Sequence, residues 1–379
     1  MSYFLEEPLR KQGGMRAHEF PVTRVDVSAY TIPTDAREGD GTFAWDKTTL
    51  VVAEVTAGNQ TGIGYTYADE ATALVIRETL ANEIVGSDAL DIPGSWMTMN
   101  HAIRNLGRPG IDSMAISAVD IALWDLKARL LGLPLASLLG QARDGAPVYG
   151  SGGFTTYSRE QLQTQLSSWA AMGIPRVKIK VGSHPEDDVE RVRQAREAIG
   201  PGVELFVDAN GAYTRKQALK FAEEYAALGV VWFEEPRPSD DLEGLRLLRD
   251  RGPAGMDIAA GEYGYSLSYF QRMLAAGAVD VLQADASRCA GITGFLGAAA
   301  LCHANHAPIS AHCAPSLHVA PGCAVVGFVH LEYFHDHARI EGMLFDGVLT
   351  PKGGVLYPDL SRPGMGMEFK RADAERYRI

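Results

Sequence analysis

From Pro147 to Tyr333 the chain repeats one phrase eight times: a short apolar run, then an amphipathic stretch of helical length. The runs fall at 147–151, 176–181, 204–208, 230–234, 257–261, 279–283, 308–312 and 329–333. A spacing of roughly 20 to 30 residues holds one strand, one helix and two short loops, the unit of an α/β protein with a parallel sheet. Eight such units predict a closed barrel, in which functional side chains gather where the strands end. An open doubly wound sheet is the rival arrangement, but it would collect its chemistry at one switch point. Here a Lys, Asp, Glu or His stands at or just past the end of six or seven runs.

The first 140 residues follow other rhythms. Residues 20–57 alternate in strand fashion as VTRVDVSAYTI and TTLVVAEVT, joined by the polar, glycine-containing PTDAREGDGTFAWDK. That pattern predicts a hairpin whose long connection is mobile or folds over a ligand. Between Glu70 and Leu139, ATALVIRETLANEIV and IDSMAISAVDIALWDLKARLLG carry apolar residues three and four apart, with Gly132 and Pro134 as stop signals. Strands followed by helices make an α+β unit. The expected organisation is an α+β cap over residues 1–145, a barrel over 146–350 and an extended return toward the cap over 351–379.

Apolar residues make up 46% of the chain and charged residues 22%, the profile of a globular protein. A formal charge of −12, with no basic block and no Cys/His finger spacing, argues against a nucleic-acid partner. The opening MSYFLEEPLRKQGG has no long apolar core behind a basic head. No later stretch reaches the ~20 apolar residues that span a bilayer, so a cytoplasmic location without a membrane partner is expected. Cys289, Cys302, Cys313 and Cys323 lie in apolar or small-residue segments without a CxxC pair and read as small, buried, reduced thiols. No GxSxG elbow occurs, and GSGG at 150–153 lacks the lysine and helix of a nucleotide loop, which leaves Tyr149 and Ser151 as pocket lining.

Asp208, Glu234 and Glu262 end three successive runs. Neighbouring barrel strands lie ~5 Å apart, so three carboxylates can converge on one ion, and oxygen-only ligation favours Mg²⁺ or Mn²⁺ over zinc. Glu235 should point the opposite way if the strand continues, and cap a helix or pair on the barrel wall, while Asn210 either assists near the metal or forms a turn before Gly211. Lys178 and Lys180 share one face of a strand. Two adjacent ammonium groups disfavour each other's protonation and make a neutral base available; Lys180, nearer the strand end, is the expected base and Lys178 the expected holder of a substrate carboxylate. Asp285 can fix the tautomer of His312 and raise its basicity, so that Lys180 and His312 face each other across the metal. Glu332 either donates a hydrogen bond to an enolate, if protonated, or serves as an ion-pair partner. Bases beside hard-metal ligands are the inventory for removing a proton from carbon next to a carboxylate, which a side-chain base cannot do unaided. A small-molecule carboxylate is the expected partner. A barrel that keeps these residues but only binds is the alternative of a different class.

The ordered set Lys178-x-Lys180, Asp208, Glu234, Glu262, Asp285, His312 and Glu332 resembles the enolase superfamily, specifically its mandelate racemase-like branch, over essentially the whole chain. Muconate-cycloisomerising relatives carry a lysine on the sixth strand, where VLQADASRCAG offers Asp285 and Arg288 instead. The resemblance implies a modified TIM barrel, (β/α)7β, under an N-terminal α+β capping domain, and a homo-oligomer built from dimers, commonly an octamer. It also implies an enediolate formed from a Mg²⁺-bound carboxylate by Lys or His bases, the mechanism common to the superfamily at large. Asp208, Glu234 and Glu262 would then be the metal ligands, Lys180 the base, His312–Asp285 the opposing dyad and Glu332 the eighth-strand glutamate. Acid-sugar dehydration is the activity the dyad suggests: His312 expels a β-hydroxyl and the product tautomerises to a 2-keto-3-deoxy acid. Without that loss the carbon is reprotonated and the enzyme is a racemase or epimerase. Asp35, Arg37, Asp40 and Thr42, with Trp45, Tyr65 and Tyr67, would suit a polyhydroxylated substrate. Ala290, where many relatives have glycine, reads as a packing change.

Overall fold

The computed structural model describes residues 19–379; the opening MSYFLEEPLRKQGG lies outside them. Alternating β-branched and polar residues draw the first segment into an antiparallel sheet of three strands, β1 (Val22–Gly39), β2 (Ala44–Ala57) and β3 (Gln60–Tyr67). Two features differ from the sequence reading. β3 is an additional strand, closed onto β2 by the two-residue turn Gly58-Asn59 with Gly58 at φ +58°. The supposed long connection is mostly strand, because a register slip between Pro33 and Glu38 absorbs its extra residues as a bulge. Only residues 40–43 turn, and they reach the barrel. A Cβ on Gly41 would come within 2.2 Å of the Ala209 carbonyl oxygen and 2.6 Å of that of Val181, so only glycine lets the turn lie this close.

Five helices complete the cap: α1 (Ala71–Val75), α2 (Ala81–Ile84), α3 (Ile92–Ala102), α4 (Ile111–Leu130) and α5 (Leu135–Leu139). A π turn at Ile76–Leu80 joins the first two into the single amphipathic segment read from the sequence. α4 lies directly on β3, where a Cβ on Gly64 would sit 2.1 Å from the Ala118 carbonyl oxygen. The helix stops at Gly132, which takes the left-handed conformation, φ +66°.

Eight parallel strands follow: β4 (Ala146–Gly152), β5 (Arg176–Lys180), β6 (Glu204–Asp208), β7 (Val230–Glu234), β8 (Asp257–Ala260), β9 (Val281–Ala284), β10 (Ile309–Ala311) and β11 (Phe328–Phe334). β11 pairs with β4 and closes the barrel. The sixth run shifts from 279–283 to Val281–Ala284, and the seventh shortens so that His312 lies just past its end. Helices α6 (Arg159–Ala171), α7 (Asp188–Ile199), α8 (Arg215–Ala226), α9 (Leu242–Arg251), α10 (Leu267–Ala275), α11 (Gly291–Ala304) and α12 (Pro315–Ala324) separate the strands, and α13 (His335–Leu344) follows β11. Ser158 with Gln161 and Thr214 with Gln217 close capping boxes that start α6 and α8. Ala290, before α11, is left-handed at φ +64°, so its difference from glycine is backbone strain and not packing alone.

The last residues return to the cap: Ile379 N–H donates to the Ala29 carbonyl at 3.1 Å, and Arg371 pairs with Glu54. All four cysteines are buried and form no disulfide. Among the described residues no helix is long and apolar enough to cross a membrane.

Strand periodicity of two sorts the barrel interior into levels. Tyr149, Phe206, Trp232 and His330 form an aromatic floor, with Phe206 and Trp232 stacked at 5.2 Å and the His330 ring 4.9 Å from Tyr149. Two residues further along each strand stand Ser151, Asp208, Glu234 and Glu332, all buried. The aromatic level keeps His330 uncharged: burial, then the positive charges of Arg176 and Lys178, push its imidazole down to about 3. The unfolded value lies near 6.5, so the unfolded chain takes the extra proton and stability falls as pH drops from 6.5 toward 3. This group alone is expected to remove about 2 kcal/mol between pH 7 and pH 5. In urea titrations His330→Asn should flatten that acid limb; an unchanged slope would assign it to other groups.

Candidate active site

Parallel register sets Lys180 beside Asp208 and Asp208 beside Glu234 on β5, β6 and β7. Glu262 stands just past β8, after Gly261, whose backbone passes so near β9 that a Cβ would lie 2.1 Å from the Gln283 carbonyl oxygen. One carboxylate oxygen from each of Asp208, Glu234 and Glu262 lies within 4.8 Å of the others. Glu234 is oriented by Trp232 Nε1 at 2.9 Å and Gln283 Nε2 at 3.0 Å, and Asp208 by the Asn210 N–H at 2.9 Å. Yet Glu262 Oε2, Glu235 Oε1 and Asn210 Oδ1 are buried without a hydrogen-bond partner. Orphaned buried oxygens are costly. Six buried carboxylates, of Asp208, Glu234, Glu235, Glu262, Asp285 and Glu332, also outnumber the cations of Lys178, Lys180 and Arg288. Hard oxygens in excess of positive charge fit a divalent cation.

Glu235 departs from the sequence reading. A strand continuing past Glu234 would have sent it to the barrel wall, but its backbone is left-handed, φ +38°. It is buried, and burial, then the carboxylates of Glu262, Asp208 and Glu234, push its pKa well up. The doubled glutamate before Pro236 was the only signal in the sequence.

The two lysines also differ from expectation. Burial disfavours the Lys180 ammonium, but Asp208, at 2.5 Å, outweighs both burial and the like charge of Lys178 and raises the pKa. Lys178 is likewise held protonated by Glu234 and by Glu332, the latter at 2.8 Å. Lys178 is fully buried and pairs with these two carboxylates, whereas Lys180 lines the cavity.

His312 Nδ1 lies 2.8 Å from Asp285 Oδ2, and the Ser287 N–H and hydroxyl both donate to Asp285 Oδ1 at 2.7 Å. Burial alone would raise the Asp285 carboxyl, but the bond to His312 and neighbouring positive groups hold it well below the usual carboxylate range. The other ring nitrogen, Nε2, faces Glu262 Oε2 at 3.5 Å and Cys313 Sγ at 3.2 Å. Cys313, read from the sequence only as a buried thiol, therefore belongs to this region. Glu332 is not the protonated donor considered above. Burial opposes its ionisation, but Lys178 wins, and Ser151 Oγ at 2.6 Å and the Cys313 N–H at 3.1 Å donate to it. Ser151 thus serves Glu332 beneath the cavity, and Tyr149 lies lower still, its hydroxyl 3.2 Å from Gln283 Nε2.

The cavity measures about 410 Å³, with Lys180, Glu262 and His312 on the barrel side and Asp40, Trp45 and Tyr67 on the cap side. Lys47, Thr49, Asp69 and Arg288 also line it and were not tied to a ligand by the sequence, whereas Asp35, Arg37, Thr42 and Tyr65 do not line it. Glu234→Gln should weaken Mg²⁺ binding in calorimetry about tenfold or more, ~1.4 kcal/mol, by removing one charge from the carboxylate group. Wild-type affinity in this variant would contradict a ligand role.

Residues 161–374 match the enolase C-terminal domain-like family, and residues 41–140 match the mandelate racemase/muconate lactonizing enzyme N-terminal domain. The crystal structure of a mandelate racemase/muconate lactonizing enzyme-like protein from Rubrobacter xylanophilus superposes with a TM-score of 0.93 at 57% identity, covering 95% of this chain and 100% of that one. The 3,6-anhydro-alpha-L-galactonate cycloisomerase of Streptomyces coelicolor is 33% identical over 359 residues, 92% of this chain and 98% of its own length. L-talarate/galactarate dehydratase of Salmonella typhimurium is 32% identical over 325 residues, 84% of this chain and 79% of its own. Its structure liganded with Mg and L-lyxarohydroxamate has a TM-score of 0.87 at 27% identity, covering 99% of this chain and 97% of that one. Cap and barrel alike place the chain in the enolase superfamily, in its mandelate racemase/muconate lactonizing branch.

Proposed function

We propose that the chain removes the α-proton of a sugar acid and expels the oxygen on the next carbon, as a dehydratase. The observation that carries this reading is the placement of two bases of different kinds, Lys180 and His312, on one cavity, Lys180 2.5 Å from Asp208 and His312 3.5 Å from Glu262, both members of the carboxylate cluster that Glu234 completes. Those three residues would hold Mg²⁺, which when bound would supply positive charge for the substrate carboxylate. Freed from Asp208 and with its own proton passed to solvent, Lys180 would accept the α-proton as a neutral amine. Asp285 keeps the proton of His312 on Nδ1 when the ring is neutral and stabilises the ring when both nitrogens are protonated. In the protonated form Nε2 can deliver a proton to the departing β-oxygen. The C2–H pair of electrons becomes the C2–C3 double bond, the C3–O bond breaks, and the enol tautomerises to a 2-keto-3-deoxy acid. Polar cap residues such as Lys47, Thr49 and Asp69 suit the hydroxyls of such a substrate.

A second reading is favoured by the match to a cycloisomerase over nearly its whole length. If the β-oxygen belongs to a ring, the same bond breakage opens the ring, and the oxygen stays on the product as a hydroxyl. Substrate and product then have equal mass, whereas dehydration releases water.

Incubation in D₂O with Mg²⁺ and hexonic, pentonic, hexaric and anhydro sugar acids tests these readings. NMR would follow the α-proton, and semicarbazide would trap a keto acid. A keto product lighter by one water is expected. A keto product of unchanged mass would establish ring opening, and exchange or inversion without a keto product would replace elimination with racemisation or epimerisation. No reaction across the panel would contradict the proposal. His312→Asn should slow keto-acid formation by about 10²–10⁴-fold, and an unaffected rate would remove it from the reaction.

A further inference from the structure

We propose that Asp35, Glu38 and His335 form a second divalent-cation site, of zinc-binding character, where β1 of the cap meets the start of α13. None of the three lines the cavity described above. One potential ligand atom of each lies within 4.8 Å of the others. His335 Nε2 stands 2.9 Å from Asp35 Oδ2. Glu38 supplies the independent observation: it is 0% exposed, its Oε2 accepts from Trp45 Nε1 at 2.9 Å, and its Oε1 has no hydrogen-bond partner.

A buried carboxylate oxygen without a donor is unfavourable unless a cation or proton meets it. Burial first, then Asp336 and Asp35, push the Glu38 carboxyl up to about 9. The neighbouring cation, Arg339, is engaged with Asp336 and with the Pro33 carbonyl at 2.7 Å, and Asp336 also accepts from Thr48 Oγ1 at 2.6 Å. A dication would satisfy the orphaned oxygen and offset the local negative charge together.

The ligand types separate this site from the first. One imidazole with two carboxylates suits Zn²⁺, whereas three carboxylates suit Mg²⁺. The bulge between Pro33 and Glu38 in β1 brings the cap ligands to His335, the first residue of α13. A bound ion would therefore clip cap to barrel, and by mass action it would stabilise the joined form.

The test uses the full chain saturated with Mg²⁺, then equilibrated with Zn²⁺, with both metals measured per chain. Wild type is expected to retain one zinc beside its magnesium. His335→Ala and Asp35→Asn should each lose zinc affinity at least tenfold, and Glu262→Gln should keep it. Asp35 is exposed on its side chain, so Asp35→Asn leaves the core intact and decides the matter if His335→Ala does not fold; calorimetric Mg²⁺ binding checks the fold. Absence of zinc from wild type, equal zinc in wild type and Asp35→Asn, or loss of zinc only in Glu262→Gln would each overturn the proposal. The readout is metal content, so it stands apart from the catalytic reading.

Discussion

The ion pairs joining Lys178 and Lys180 to Asp208, Glu234 and Glu332 lie inside a closed sheet, largely shielded from screening water. Buried pairs of this kind bring little net stability, because desolvation offsets their attraction. They are tolerable here because Lys178 meets three carboxylates and Asp208 both lysines, and because register, not side-chain search, brings them together. Lys180, Asp208 and Glu234 are paired positions on three adjacent strands. An aromatic floor two residues below keeps their level dry and fixes its depth.

The cap depends on the same rim. Gly41 brings the β1–β2 turn against the carbonyls of Ala209 and Val181, beside Asp208 and Lys180. Trp45 and Tyr67 then roof the cavity, while Glu262 and His312 form part of its floor. Neither domain holds a complete cavity alone. Thr48, at the cavity wall, donates to Asp336, and Arg371 pairs with Glu54; both contacts hold the two together.

Much of this was legible in the sequence, and what was not has physical causes. Eight apolar runs at helical spacing gave the barrel, since a strand buried on both faces must be apolar throughout. The carboxylates of Asp208, Glu234 and Glu262 were legible as a group because they recur at strand ends. Glu235 escapes strand parity because the backbone turns left-handed there. The mutual repulsion expected of the Lys178–Lys180 pair is outweighed because folding surrounds both with carboxylates from other strands, which spacing along one strand does not reveal. β3 was overlooked because Gly62 and Gly64, which admit α4, also blunt its β-branched character. The meeting of Asp35 with His335, 300 positions apart, has no local signal at all.

The central claim is that Lys180 and His312 address opposite faces of one α-carbon. Deuterium exchange at C2, measured for each of two C2 epimers of an accepted substrate with Lys180→Ala and with His312→Asn, tests it most directly. Each variant should lose exchange for one epimer and keep it for the other, with the two variants complementary. Loss of exchange for the same epimer in both variants would put the two bases on one face and contradict the account.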